Sequence, residues 1–139
     1  MAIYGNYLLG LVQNSLANKS WKAALVVANY AQSIDTESKW SAVQPYEVTG
    51  AGYVAGGQSV SLSAQYFSSI NTVAITVGST IDFGVVTIAD IGGVVIYDWT
   101  GTASTSSVLL VDPIGPVAVD GAQFTYTAPS TGLLRFAIL

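Results

Sequence analysis

The sequence predicts an all-β chain: a β-sandwich or jelly-roll-like fold with a short N-terminal helix. Three observations carry this. From about residue 59 onward, apolar and polar residues alternate with the period of two that marks a strand with one wet face. Glycines and other turn-formers divide the chain into about eight short runs, the rhythm of two-sheet folds. Helical spacing of apolar residues is clear near the N-terminus, where Tyr4, Tyr7, Leu8, Leu11 and Val12 recur at helical intervals.

That first segment predicts a short helix with a polar exit from Asn14 to Lys19. A helix so short persists by docking its apolar stripe on something. Next, Trp21 to Asn29 contains Ala24-Leu25-Val26-Val27, a run without alternation, which predicts a strand covered on both faces. Asp35 or Thr36 is placed to cap one helical turn through Lys39 and Trp40. Gly50, Gly52, Gly56 and Gly57 then interrupt regular structure. Val60, Leu62, Ala64 and Tyr66 alternate with serines and Gln65, and Val73, Ile75 and Val77 repeat the pattern. Further strands are predicted at 81–83, 85–88, 93–99, 108–111, 124–127 and 134–138. No linker, low-complexity tract or repeat interrupts residues 1–139, which predicts a single domain.

Composition narrows the function. Cysteine and histidine are both absent, which removes disulfides, thiolate metal sites, the commonest general base and the commonest transition-metal ligand. Charged residues make up 9% of the chain, against roughly 25% in a typical soluble domain. The apolar fraction is 51% and the mean hydropathy is +0.53. Such a surface suits permanent contacts with other subunits, because obligate interfaces resemble a core cut in half. With Lys19, Lys22, Lys39 and Arg135 as its cations and a net charge of −4, the chain is not expected to bind nucleic acid. Its longest apolar runs fall far short of the ~20 residues of a spanning helix, so no membrane partner is expected. Residues 1–6 lack the basic start and apolar block of a signal peptide, predicting synthesis and use without that export route.

The segment from Gly50 to Gly57 invites comparison with a phosphate loop. Such a loop needs a following helix and a cation, whereas a serine-rich strand follows here and no cation is expected near it. The predicted role is conformational, with at least one of Gly50, Gly52, Gly56 and Gly57 at positive φ. Asp82, Asp90, Asp98, Asp112 and Asp120 stand singly near strand ends, as turn-stabilising aspartates do. Paired carboxylates for glycosidase chemistry would have to be brought together by the fold. A calcium site from Asp35, Glu37 or the loop aspartates needs only oxygen ligands, but no EF-hand spacing is present. Trp21, Trp40 and Trp99, with eight tyrosines, admit a sugar platform, with core filling as the plainer use. No enzyme activity, catalytic residue, metal or cofactor is therefore expected.

A resemblance sharpens this. The helix around Tyr7 to Val12, the strand Lys22-Ala23-Ala24-Leu25-Val26, Asp35-Thr36 and Trp40-Ser41 lead into Glu47-Val48-Thr49-Gly50-Ala51-Gly52-Tyr53-Val54-Ala55-Gly56-Gly57. This order resembles a widespread family of small tailed-phage structural proteins, in which the glycine signature precedes an alternating strand. Segments like 81–88, 94–98, 124–126 and 133–138 continue the likeness over most of the chain. Family members carry a more acidic middle followed by a tryptophan, where this chain has Val85-Val86-Thr87-Ile88. The resemblance implies a capsid cement (decoration) protein on the virion surface, assembled in the host cytoplasm. Its partners would be the major capsid protein and copies of itself, a trimer being favoured. The alternative is a tail or fibre component that meets the host, as a carbohydrate-binding module for instance. The predicted contact stripe is Tyr4, Leu8 and Leu11.

Overall fold

A computed structural model describes residues 3–31, 38–78 and 80–138. In chain order its elements are α1 (Gly5–Leu16), β1 (Trp21–Val26), α2 (Trp40–Val43), β2 (Gln58–Ser59), β3 (Leu62–Phe67), β4 (Thr72–Val77), β5 (Ile81–Asp98), β6 (Val108–Tyr126) and β7 (Leu134–Ala137), with three short 3-10 turns. The class is all-β with a short N-terminal helix, built on two antiparallel sheets. Contacts group the chain into two compact units, where the sequence suggested a single domain over 1–139. One unit comprises Met1–Asn18, Ser61–Thr80 and Thr127–Leu139, the other Lys19–Val60 and Ile81–Tyr126. The expected cap at Asp35 or Thr36 lies outside the described residues, as does Glu37.

In the first unit the sheet order is β3-β4-β7. β3 alternates between half-buried and exposed residues as its sequence predicts, while β4 is buried from Thr72 to Ile75. Helix α1 lies against β3 and β4 and buries Val12 and Leu16. It ends where the Ala17 amide donates to Gln13 O and Asn18 turns to φ 58°, a conformation asparagine tolerates better than most residues.

In the second unit the sheet order is β2-β1-β5-β6. Ala23 to Val26 of β1 and Val94 to Tyr97 of β5 are buried without alternation, the both-faces-covered pattern read from the sequence. On one face Ala24, Val26, Val95 and Tyr97 meet Trp40 and Val43 of α2 in a core cluster.

The short strands expected between residues 81 and 127 are instead two long ones of 18 and 19 residues, joined as a hairpin. Gly84, Gly92, Pro113 and Pro116, which lie between the strands expected from the sequence, are absorbed within them, and Gly93, expected to open a strand, lies inside β5. Five register shifts interrupt the β5–β6 pairing, and irregularities of that kind bend and twist a ribbon. The ribbon coils as a result. Tyr126 Oη donates to Asp112 Oδ2 fourteen residues earlier on the same strand, a span of roughly 46 Å if the strand were straight.

Candidate interaction surface

The glycine signature is held from inside by one carboxylate. Glu47 follows a 3-10 turn and is fixed by the backbone: it bridges to Val26, and the next amide, Val48 N, donates to Leu25 O at 3.0 Å. Its Oε1 accepts from Tyr53 Oη at 2.8 Å and from Gly56 N at 2.6 Å. Tyr53 Oη in turn accepts Leu25 N at 3.1 Å, and Tyr97 Oη donates to Gly56 O at 2.6 Å. The loop is thus tied to β1 and β5 through two phenols. Burial pushes the Tyr97 phenol up to about 12, with the Glu47 charge adding to it. Burial also pushes the Tyr53 phenol well up, against the opposing Leu25 amide and reinforced by Glu47.

Gly52, Gly56 and Gly57 have φ of 81°, 89° and 79°, so three of the four signature glycines adopt the left-handed region; Gly50 does not. At Gly57 a Cβ would also overlap the carbonyl of Ala23. Since the Gly56 amide is spent on a carboxylate, the loop is electrostatically the reverse of a phosphate cradle. One element of the sequence reading needs correcting: a cation does stand beside this loop. It is Lys22, brought from β1 by the fold.

Lys22, Trp40, Gln44, Ala55, Gly56, Tyr97 and Trp99 line a cleft of about 160 Å³. Trp40 stacks on Tyr97 with centroids 4.2 Å apart, and Trp99 meets Tyr97 edge-on at 6.3 Å. Lys22 Nζ lies 5.7 Å from the centroid of the Trp99 ring, a cation–π distance. Trp40 is 1% exposed and Trp21 and Trp99 are half-buried, so the three tryptophans do not make an open sugar platform.

No family model, curated protein or solved structure matches this chain. The site must therefore be read from its own chemistry. Five aspartates of the second unit were singled out in the sequence, and four of them do structural work. Asp82 accepts Gly84 N and Gln123 Nε2, Asp90 accepts Ala28 N, and Asp98 accepts Ser20 N and pairs with Lys19 at 3.7 Å. Asp112 accepts the Tyr126 phenol, which burial first and then this bond push well up. No cluster of three acidic groups suited to a metal occurs among the described residues. Nor is any described helix long and apolar enough to cross a membrane.

On α1 the predicted contact stripe is partly redrawn. Tyr4 is 85% and Leu11 47% exposed, but Leu8 is half-buried, between the docked face and the outer one. Tyr7, 67% exposed, takes its place. The helical period explains this: positions 4, 7 and 11 share one side, while 12 and 16 point to the sheet. Sequence reasoning also passed over Glu47 and Tyr53 as partners, although both stand within the signature, six residues apart.

Proposed function

We propose that this chain is a structural, non-catalytic protein of a tailed-phage particle. It acts there as a capsid cement that associates with itself, a trimer being favoured, and joins neighbouring major capsid subunits on the virion surface. The observation that carries the reading is the outer stripe of α1. This 12-residue helix has no charged side chain, yet together with its N-cap residue Tyr4 it turns Tyr7 and Leu11 to solvent. A contiguous apolar stripe without charge suits a contact that forms once and stays formed. Burial contributes roughly 25 cal/mol per Å² of apolar surface, while exposed ion pairs contribute up to about 1 kcal/mol each. Attachment by this stripe would therefore be insensitive to salt. The likeness of the glycine signature supplies the phage setting, and the Glu47 network gives that signature a folding role.

The test is to add purified protein to undecorated heads, count bound copies by quantitative mass spectrometry and locate them by cryo-electron microscopy. Many copies in lattice order on the shell are expected. A few copies confined to the tail would favour the tail or fibre reading instead.

A further inference from the structure

Among the described residues of the second unit, the side chains of Lys22 and Asp120 are charged and have neither a hydrogen-bond nor an ion-pair partner. Lys22 is half-buried in the aromatic cleft, with the Trp99 ring as its neighbour and no carboxylate within ion-pair distance among the described residues. Asp120 on β6 is exposed, and among the described residues its side chain makes no hydrogen bond or ion pair, unlike those of Glu47, Asp82, Asp90, Asp98 and Asp112. The two do not meet within one chain. Lys22 is paired with Tyr97, whereas Val119, the neighbour of Asp120, is paired with Ile88, nine positions earlier on β5 (97 − 88 = 9).

We propose that the Lys22 cleft receives Asp120 of a second copy of this chain. Charge complementarity selects the occupant: an ammonium with unused donors faces a carboxylate with unused acceptors. The Trp99 ring lies 5.7 Å from the ammonium and the cleft is walled largely by aromatic rings, so a carboxylate entering there would meet less screening solvent than on an open surface. Asp120 is presented for such a contact. Gly121 beside it turns to φ 60°, and its amide donates to Thr87 Oγ1 at 2.9 Å, which fixes the backbone under the aspartate. Because the two patches differ, the contact is heterologous, and repeated around an axis it closes a ring such as a trimer. This inference rests on the self-association in the proposed function, not on attachment to a shell.

The test is sedimentation velocity on the wild type, Lys22→Glu, Asp120→Lys and the double charge swap, over the micromolar range. Each single reversal should raise the dissociation constant roughly 10- to 100-fold, and the double swap should restore most of the affinity. The neutral variants Lys22→Gln and Asp120→Asn should melt like the wild type and associate with intermediate strength, which separates lost pairing from lost folding. A monomeric wild type, single reversals that assemble normally, or a double swap no better than either single would overturn the pairing. A wild-type monomer that still decorates heads would sink this contact and leave the cement reading standing. A rescued oligomer that fails to bind heads would do the reverse.

Discussion

Replacing Glu47 by alanine should be among the most damaging single changes in the glycine loop. The carboxylate accepts two hydrogen bonds, from Tyr53 Oη and Gly56 N, and orients the phenol that also receives Leu25 N. Hydrogen bonds to a charged group contribute about 1.5–3 kcal/mol each. Glu47 is only half-buried, so the lower half of that range applies, and relief of its own desolvation offsets part of the loss. The expected cost of Glu47→Ala is therefore about 2–4 kcal/mol. Glu47→Gln retains an oxygen at the same reach but loses the charge, and should cost about half as much. Tyr53→Phe removes the middle of the chain, so its effect should be non-additive with Glu47→Ala by about 1 kcal/mol in a double-mutant cycle. The assay is urea unfolding followed by tryptophan fluorescence, for which Trp40, stacked on Tyr97 in the core, is a built-in probe. An alanine variant within about 0.5 kcal/mol of wild type, or an additive cycle, would refute the view that this carboxylate organises the loop.

Alkali should unfold the protein. Tyr97 titrates near 12 when folded, and a free phenol near 10, so its stabilising effect is complete below about pH 10 and lost as pH rises from there to 12. A rise from about 10 to about 12 corresponds to on the order of 3 kcal/mol, and the Tyr53 and Tyr126 phenols are pushed the same way by burial. Phenolate absorbance should appear together with loss of far-ultraviolet dichroism; full ionisation of a still-folded protein would contradict this. Gly57→Ala should cost more than ~1 kcal/mol in thermal or urea unfolding, because it meets both a positive φ and the Ala23 carbonyl. Gly10→Ala, on the helix with open space around it, should be neutral or stabilise by up to about 1 kcal/mol in the same measurement. Tyr7→Ser and Leu11→Ser should change melting little yet weaken binding to heads, which should itself survive molar salt. Leu8→Ser should lower stability as well, and release by salt with both outer variants still bound would show that charge holds the protein.

What the sequence made legible follows from how local each signal is. The unbroken apolar run in β1 and the alternation in β3 depend on side-chain period, which a single strand displays by itself. Strand length does not: Gly84 and Pro113 look like stops until a partner strand is present to accept register shifts along the pair. The same limit hid the Lys22 cleft, because its walls come from β1, α2, the glycine loop and β5, and nothing in sequence joins Lys22 to Gly56 or Trp99. Tyr7 was legible from helical period, but inner and outer stripes both contain apolar residues here, so period alone could not say which of them docks.

The long hairpin sets a constraint that bears on where adhesion can occur. β6 is an edge of its sheet and runs 19 residues, in a chain poor in charge, which is the profile of a strand that invites further strands to pair with it. Its sequence opposes this along its length. Pro113 and Pro116 have no amide to donate, Asp112 and Asp120 place charge on it, and register shifts and Gly121 at φ 60° break its flatness. The coil that brings Tyr126 back to Asp112 further denies a straight edge to a neighbour. Backbone pairing is thus discouraged at the place where it would be least selective. On the proposal above, that leaves self-association to side-chain contacts that can be specific, and would give Asp120 two compatible uses: blocking indiscriminate strand addition and entering a single complementary cleft. An Asp120→Asn variant should consequently weaken the ordered oligomer and increase thioflavin-positive aggregation on prolonged incubation. Loss of the oligomer without any rise in aggregation would separate the two uses and remove the protective one.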